Sequence, residues 1–104
     1  MNADQEQRLL NESGRGAHAA RLLDDGLLKE SVAAVEADIL EKWKSSPVRD
    51  TEGQLALRLK WQCLQEIMGC IRDIALTGKM ADQSLQAERT LRQRAHDAMK
   101  EFKR

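Results

Sequence analysis

Apolar side chains recur at alternating spacings of four and three along the stretch that follows Asp50. The positions are Leu57, Trp61, Leu64, Met68, Ile71 and Ala75. Ile67 and Ile74 widen this seam on one side. A repeat of this kind is typical of an amphipathic helix with a coiled-coil-like face. The pattern therefore predicts a long helix over residues 50–77 that lies against another helix.

A second seam precedes it. Its apolar positions fall three or four apart, while most acidic residues lie away from them: Leu28, Val32, Val35, Ile39 and Trp43. This spacing predicts a helix over residues 27–44. Lys42 and Lys44 stand at its end, where cations complement the helix dipole.

The connection between the two predicted helices is short. Pro47 interrupts the helical pattern because it disfavours helical geometry in the preceding residue. Asp50 is a suitable N-cap for the next helix, and the alternative start has Ser46 as the cap with Pro47 at the first helical position. A link of about two to six residues favours antiparallel neighbours. The sequence thus predicts an all-α fold built on an antiparallel helical hairpin, with a short N-terminal helix before it and a basic C-terminal helix after it.

Glycines divide the rest of the chain. Gly14 and Gly16, in the stretch 13–16, predict a break after a frayed or flexible segment 1–16. Gly78 is placed as the left-handed residue that ends the long helix. We expect three parts: the segment 1–16, a hairpin core 17–78 and the basic helix 79–104.

Composition supports a single helical domain. Charged residues make up 33% of the 104 positions and aromatic residues only 3%, which suits helices better than sheets. The formal net charge is zero, so the whole molecule is not a polyelectrolyte binder. The charge is uneven, however: residues 1–44 carry six Lys/Arg and nine Asp/Glu, and residues 79–104 carry seven and four.

The sequence contains no recognisable catalytic motif. It lacks a Walker loop, a GxGxxG fingerprint, an HExxH motif and a CxxC pair. Cys63 and Cys70 are about 10 Å apart along a helix, farther than the roughly 7 Å that a disulfide spans. We expect no enzymatic activity, no cofactor and no metal, and two reduced, half-buried thiols in a cytosolic protein.

No apolar run approaches 18 residues, and the N-terminus lacks the basic-then-apolar pattern of a signal peptide. We therefore expect no membrane association.

Apolar residues extend beyond the main seam of the long helix. One partner helix cannot cover them all, and an isolated hairpin seldom buries enough core. We therefore expect self-association or contact with another protein through Leu59, Trp61, Cys63, Ile67 and Ile74. Tryptophan is favoured in interface hot spots, but on helical seams we expect Trp43 and Trp61 in the core.

The C-terminal segment offers an alternative surface. Its cations could follow a phosphate backbone: Arg89, Arg92, Arg94, Lys100 and Lys103. Glu88, Asp97 and Glu101 are interspersed among them, so a solvated face or a docking face for an acidic protein is the favoured interpretation.

Three stretches carry a resemblance to a known group of proteins. They are GAHAARLLDD at 16–25, SPVRDTE at 46–52 and LTGK at 76–79. Together they resemble a loosely defined family of small helical proteins from the structural and packaging genes of tailed bacteriophages and prophages. The resemblance spans about residues 16–79, and members often have proline at the position of Gly26. It implies a phage setting and assigns no functional residues.

These observations lead to one expected function and two alternatives. The resemblance implies a virion component or assembly factor, and the seams indicate that it acts by helix-mediated contact with itself or with phage structural proteins. The alternatives are a packaging accessory that binds nucleic acid and an inhibitor that binds a host protein. We expect the protein in the host cytoplasm or in the virion.

Overall fold

A computed structural model of the protein describes residues 1–102 and contains three α-helices. Helix α1 spans Ala3–Asp24, α2 spans Gly26–Ser45 and α3 spans Thr51–Phe102. The described residues include no β-strand. The predicted all-α class is therefore confirmed, and the helix predicted over residues 27–44 is present as α2.

Helix α1 begins with a reciprocal pair of hydrogen bonds. The backbone N–H of Gln5 donates to the side-chain oxygen of Asn2 at 2.8 Å, and the Asn2 backbone nitrogen donates to the side-chain oxygen of Gln5 at 3.1 Å. This is the geometry of a capping box, which satisfies backbone donors that a helix leaves free at its start. Asp4 and Glu6 in the first turn also complement the helix dipole.

The break predicted at residues 13–16 is wrong, because α1 runs through them without interruption. A helical glycine costs about 1 kcal/mol relative to alanine, and we infer that the N-terminal cap and packing outweigh this cost. Gly16 is buried against Gly78 of α3, where only residues without side chains can approach so closely. Gly16 therefore permits close packing of the two helices and does not end α1.

Side-chain caps define the two connections between helices. Asp25 separates α1 from α2, and its carboxylate accepts a hydrogen bond from the backbone N–H of Leu28 at 2.9 Å. Asp50 precedes α3, and its carboxylate accepts from the N–H of Gly53 at 2.9 Å. Of the two starts considered for the long helix, the structure has the one capped by Asp50.

Helix α3 does not end at Gly78. It continues to Phe102, and no glycine among the described residues has a positive φ. The predicted left-handed end at Gly78 is therefore wrong, and the basic segment is the last part of a 52-residue helix.

The chain forms two compact units. The first combines Met1–His18 with Ile74–Arg104, and the second is Ala19–Asp73. Neither boundary coincides with those predicted at residues 16/17 and 78/79.

In the first unit, the beginning of α1 contacts the end of α3. Ser13 donates a hydrogen bond to Asp82, and Arg92 forms an ion pair with Glu6 at 3.7 Å. Ala81 and Leu85 are its buried apolar side chains. The contact residues of α1 run from Glu6 through Ser13 to Gly16. Their partners on α3 run in the reverse order, from Arg92 through Asp82 to Gly78, so the two helical segments are antiparallel.

In the second unit, α2 contacts the first part of α3. The side-chain amide of Gln65 donates to the carboxylate of Glu36 at 3.4 Å, and that of Gln54 donates to the Pro47 carbonyl at 3.2 Å. Ile39 and Met68 are buried here. One hydrogen bond joins the two helices and the other joins α3 to the connection.

Candidate interaction surfaces

An open apolar groove lies between α2 and α3 within the second unit. Its volume is about 580 Å³, and its apolar walls are formed by Ile39, Leu40, Trp43, Leu55, Leu57 and Trp61. Glu36, Gln54 and Arg58 add polar groups to the lining. We call this surface the tryptophan groove, because it contains both tryptophans of the chain.

The tryptophans are not core residues. Trp43 is 55% exposed and Trp61 is 46% exposed, although both stand on the predicted seams. The core interpretation of these side chains is therefore wrong. The end of α1 also belongs to this unit, and its Leu23 lines a depression together with Met68, whereas the described residues around the two tryptophans all come from α2 and α3. Ile39 and Met68 are therefore buried while the larger tryptophans remain partly in solvent.

Local structure holds the groove at the connected end of α2 and α3. Trp43 lies in the last turn of α2, and its carbonyl accepts hydrogen bonds from the backbone N–H and the hydroxyl of Ser46 at 3.2 and 2.7 Å. The Asp50 cap and the Gln54–Pro47 bond fix the start of α3. The capping residues thereby position both walls of the groove.

The five residues predicted to bind a partner do not form one cluster in the structure. Trp61 lines the tryptophan groove. Leu59, Cys63 and Ile67 are exposed on α3 outside its lining, and Ile67 is 61% exposed. Ile74 is half-buried and belongs to the first unit, where its carbonyl lies beside Gly16.

Sequence reasoning missed Leu40 and Arg58 as parts of an interaction surface. Leu40 is half exposed and lies beside Trp43 in the groove. The sequence spacing could have identified both residues. Leu40 and Arg58 each precede a tryptophan by three positions, so each shares a helix face with that tryptophan.

Both cysteine side chains are exposed and unpaired with each other. The prediction that both thiols are half-buried is therefore wrong.

The cations of the C-terminal part of α3 are exposed on the surface. Arg89 and Arg94 line a shallow depression of about 340 Å³ with Gln86, Thr90 and Gln93. Arg92 instead contacts two carboxylates, those of Glu6 at 3.7 Å and Glu88 at 3.6 Å. Lys100 is exposed. Lys103 lies outside the described residues.

Residues 1–102 contain no group of three or more His, Cys, Asp or Glu side chains placed to hold a metal ion. None of the helices in that range is long and apolar enough to cross a membrane. No protein-family model matches the chain, and no curated protein or solved structure shows significant similarity to it.

Proposed function

We propose that the protein is a non-enzymatic component or assembly factor of a tailed-bacteriophage particle. It acts through helix-mediated contact with other copies of itself or with phage structural proteins. The tryptophan groove is the observation that carries this proposal, because it presents two large aromatic side chains and several aliphatic ones to solvent. Partly exposed tryptophans in an apolar depression are typical of residues that anchor an interface.

The proposed architecture of the second unit is an antiparallel helical hairpin. The Gln65–Glu36 hydrogen bond joins residues 29 positions apart, and only residues 46–50 separate α2 from α3. Connections this short favour antiparallel neighbours. A two-helix hairpin can bury only one stripe of each helix, which leaves apolar side chains for a partner.

The phage setting rests on the resemblance of residues 16–79 to small helical proteins of phage structural and packaging genes. In this setting the protein is made in the host cytoplasm and joins other head proteins during assembly or in the finished virion.

Deletion of the gene from the phage or prophage that encodes the chain tests this proposal. We expect the protein in purified particles or assembly intermediates by mass spectrometry, and we expect fewer complete particles after deletion. Expression of the wild-type chain in trans is the control and should restore the yield. Absence from particles and intermediates, together with an unchanged yield, would refute the proposal.

A second candidate function is nucleic-acid binding through the end of α3. The observation that favours it is the depression around Arg89 and Arg94, whose lining includes no acidic side chain. Each phosphate contact would release counterions, so binding should weaken steeply with salt.

A gel shift with double-stranded DNA at two salt concentrations tests this candidate. The double variant Arg89→Gln/Arg94→Gln should lose binding, while Arg49→Gln/Arg72→Gln, which removes two cations elsewhere, should retain it. No shift of the wild-type protein at low salt would exclude this candidate.

A further inference from the structure

We propose that a second copy of this chain covers the tryptophan groove and forms a two-fold symmetric dimer. The inference rests on the proposed function and deepens it by naming the partner and the surface. The groove of one copy would meet the groove of the other, so that Leu40, Trp43, Leu55 and Trp61 become buried on both sides.

The chain leaves more surface exposed than a typical folded monomer of its mass. The chain exposes 8533 Å², whereas a folded monomer of its mass exposes roughly 5,900 Å². The difference is about three times the roughly 800 Å² that each partner buries in a standard protein interface. Burial of the groove and its rim in a dimer would therefore remove only part of this additional surface.

The charges of the groove suit a contact between identical copies. A two-fold interface brings the same patch together from both subunits, so the patch must complement itself. The lining carries one anion, Glu36, and one cation, Arg58. Glu36 of each copy can then face Arg58 of the other, whereas a groove with charges of one sign would repel its copy. The zero net charge of the chain likewise does not oppose self-association.

The balanced charges also argue against a strongly charged peptide as the occupant. An acidic peptide would favour a groove with an excess of cations, and a basic peptide would favour the reverse. The lining has neither excess, since its only charged side chains are Glu36 and Arg58.

Exchange of the two charges provides the test. In Glu36→Arg the interface would bring arginines together, and in Arg58→Glu it would bring glutamates together. We expect each variant alone to dimerise at least tenfold more weakly than the wild type by sedimentation equilibrium. An equimolar mixture of the two variants should restore dimers as heterodimers. In the mixed dimer, the two arginines of one subunit, at positions 36 and 58, face the two glutamates of the other.

Matched controls are Glu30→Arg on α2 and Lys60→Glu on α3. Both change an exposed charge on the same two helices outside the groove lining, and both should dimerise like the wild type. Circular dichroism would verify that all four variants remain helical.

Two outcomes would overturn the proposal. One is a wild-type protein that stays monomeric at the highest attainable concentration, and the other is a dimer that neither charge reversal weakens and the mixture does not restore. Either result would leave the proposed phage function intact if the protein still assembles into particles, since another structural protein would then be the partner.

Discussion

At the scale of single residues, one close helix contact in the first unit depends on two glycines. A Cβ atom added to Gly16 would overlap the Cα atom of Gly78 and crowd the Ile74 carbonyl. The obstacles are backbone atoms, which cannot turn away as a flexible side chain can. The two helical segments would have to separate to admit even a methyl group.

We predict that Gly16→Ala destabilises the protein by about 1–3 kcal/mol, the usual cost of an overpacked contact. Gly14→Ala is the matched control, because nothing lies within 4 Å of the Cβ it would add. That control should stabilise α1 by about 0.5–1 kcal/mol, since alanine favours helices. Chemical denaturation monitored by circular dichroism measures both. Equal stabilisation by the two substitutions would refute the close approach.

The capping aspartates give a second test at residue scale. Asp50→Ala removes the acceptor of the Gly53 N–H and should cost about 1 kcal/mol. Asp50→Asn keeps an acceptor oxygen at that position and should cost much less. Urea denaturation measures both free energies of unfolding, and an equal loss for the two substitutions would show that the cap contributes through its charge and not through the hydrogen bond.

At the scale of elements, α3 presents differently buried side chains at adjacent positions. Met68 is 9% exposed and Ile67 is 61% exposed. Met68→Asp places a charge in the contact with α2 and should cost at least about 3 kcal/mol. Ile67→Asp should change the free energy of unfolding by less than about 1 kcal/mol. Thermal melting of the two variants compares them directly, and a larger loss for Ile67→Asp would mean that α3 faces α2 differently.

Periodicity predicted α2 to within one residue at each end, because its apolar spacing and its terminal lysines agree. The cap at Asp50 was also predictable from local sequence. The continuity of α1 and α3 was not, since glycine is compatible with both a helix end and a close helix contact. The partner that decides between these roles for Gly16 is Gly78, which lies 62 positions away in the sequence. The capping box at Asn2 and Gln5 is a local signal for the start of α1.

The candidate surface was predictable only in part. The sequence indicates more apolar residues on α3 than one helix can cover, and Leu59, Cys63 and Ile67 are indeed exposed. It did not indicate that Trp43 and Trp61 stand together in an open groove, because a seam position is normally buried. Among the described residues, only α2 and α3 contribute to the lining of this groove, which leaves the tryptophans uncovered there and which local spacing does not reveal.

At the scale of the whole molecule, the buried apolar residues are few. Those among the described residues are Ala19, Ile39, Met68, Ala81 and Leu85. Hydrophobic burial is the main favourable term in folding, so a chain with so little of it gains stability when a partner covers its surface. We therefore expect the melting temperature to rise with protein concentration, as measured by differential scanning calorimetry over a hundredfold range. A constant melting temperature would argue against stabilisation by self-association.

In the assembled state, another protein subunit covers the tryptophan groove. Acrylamide quenching of tryptophan fluorescence measures this directly, because Trp43 and Trp61 are the only tryptophans of the chain and both line the groove. We predict strong quenching in dilute protein and at least a twofold smaller quenching constant in the assembled state. An equal quenching constant in the dilute and assembled states would contradict the account.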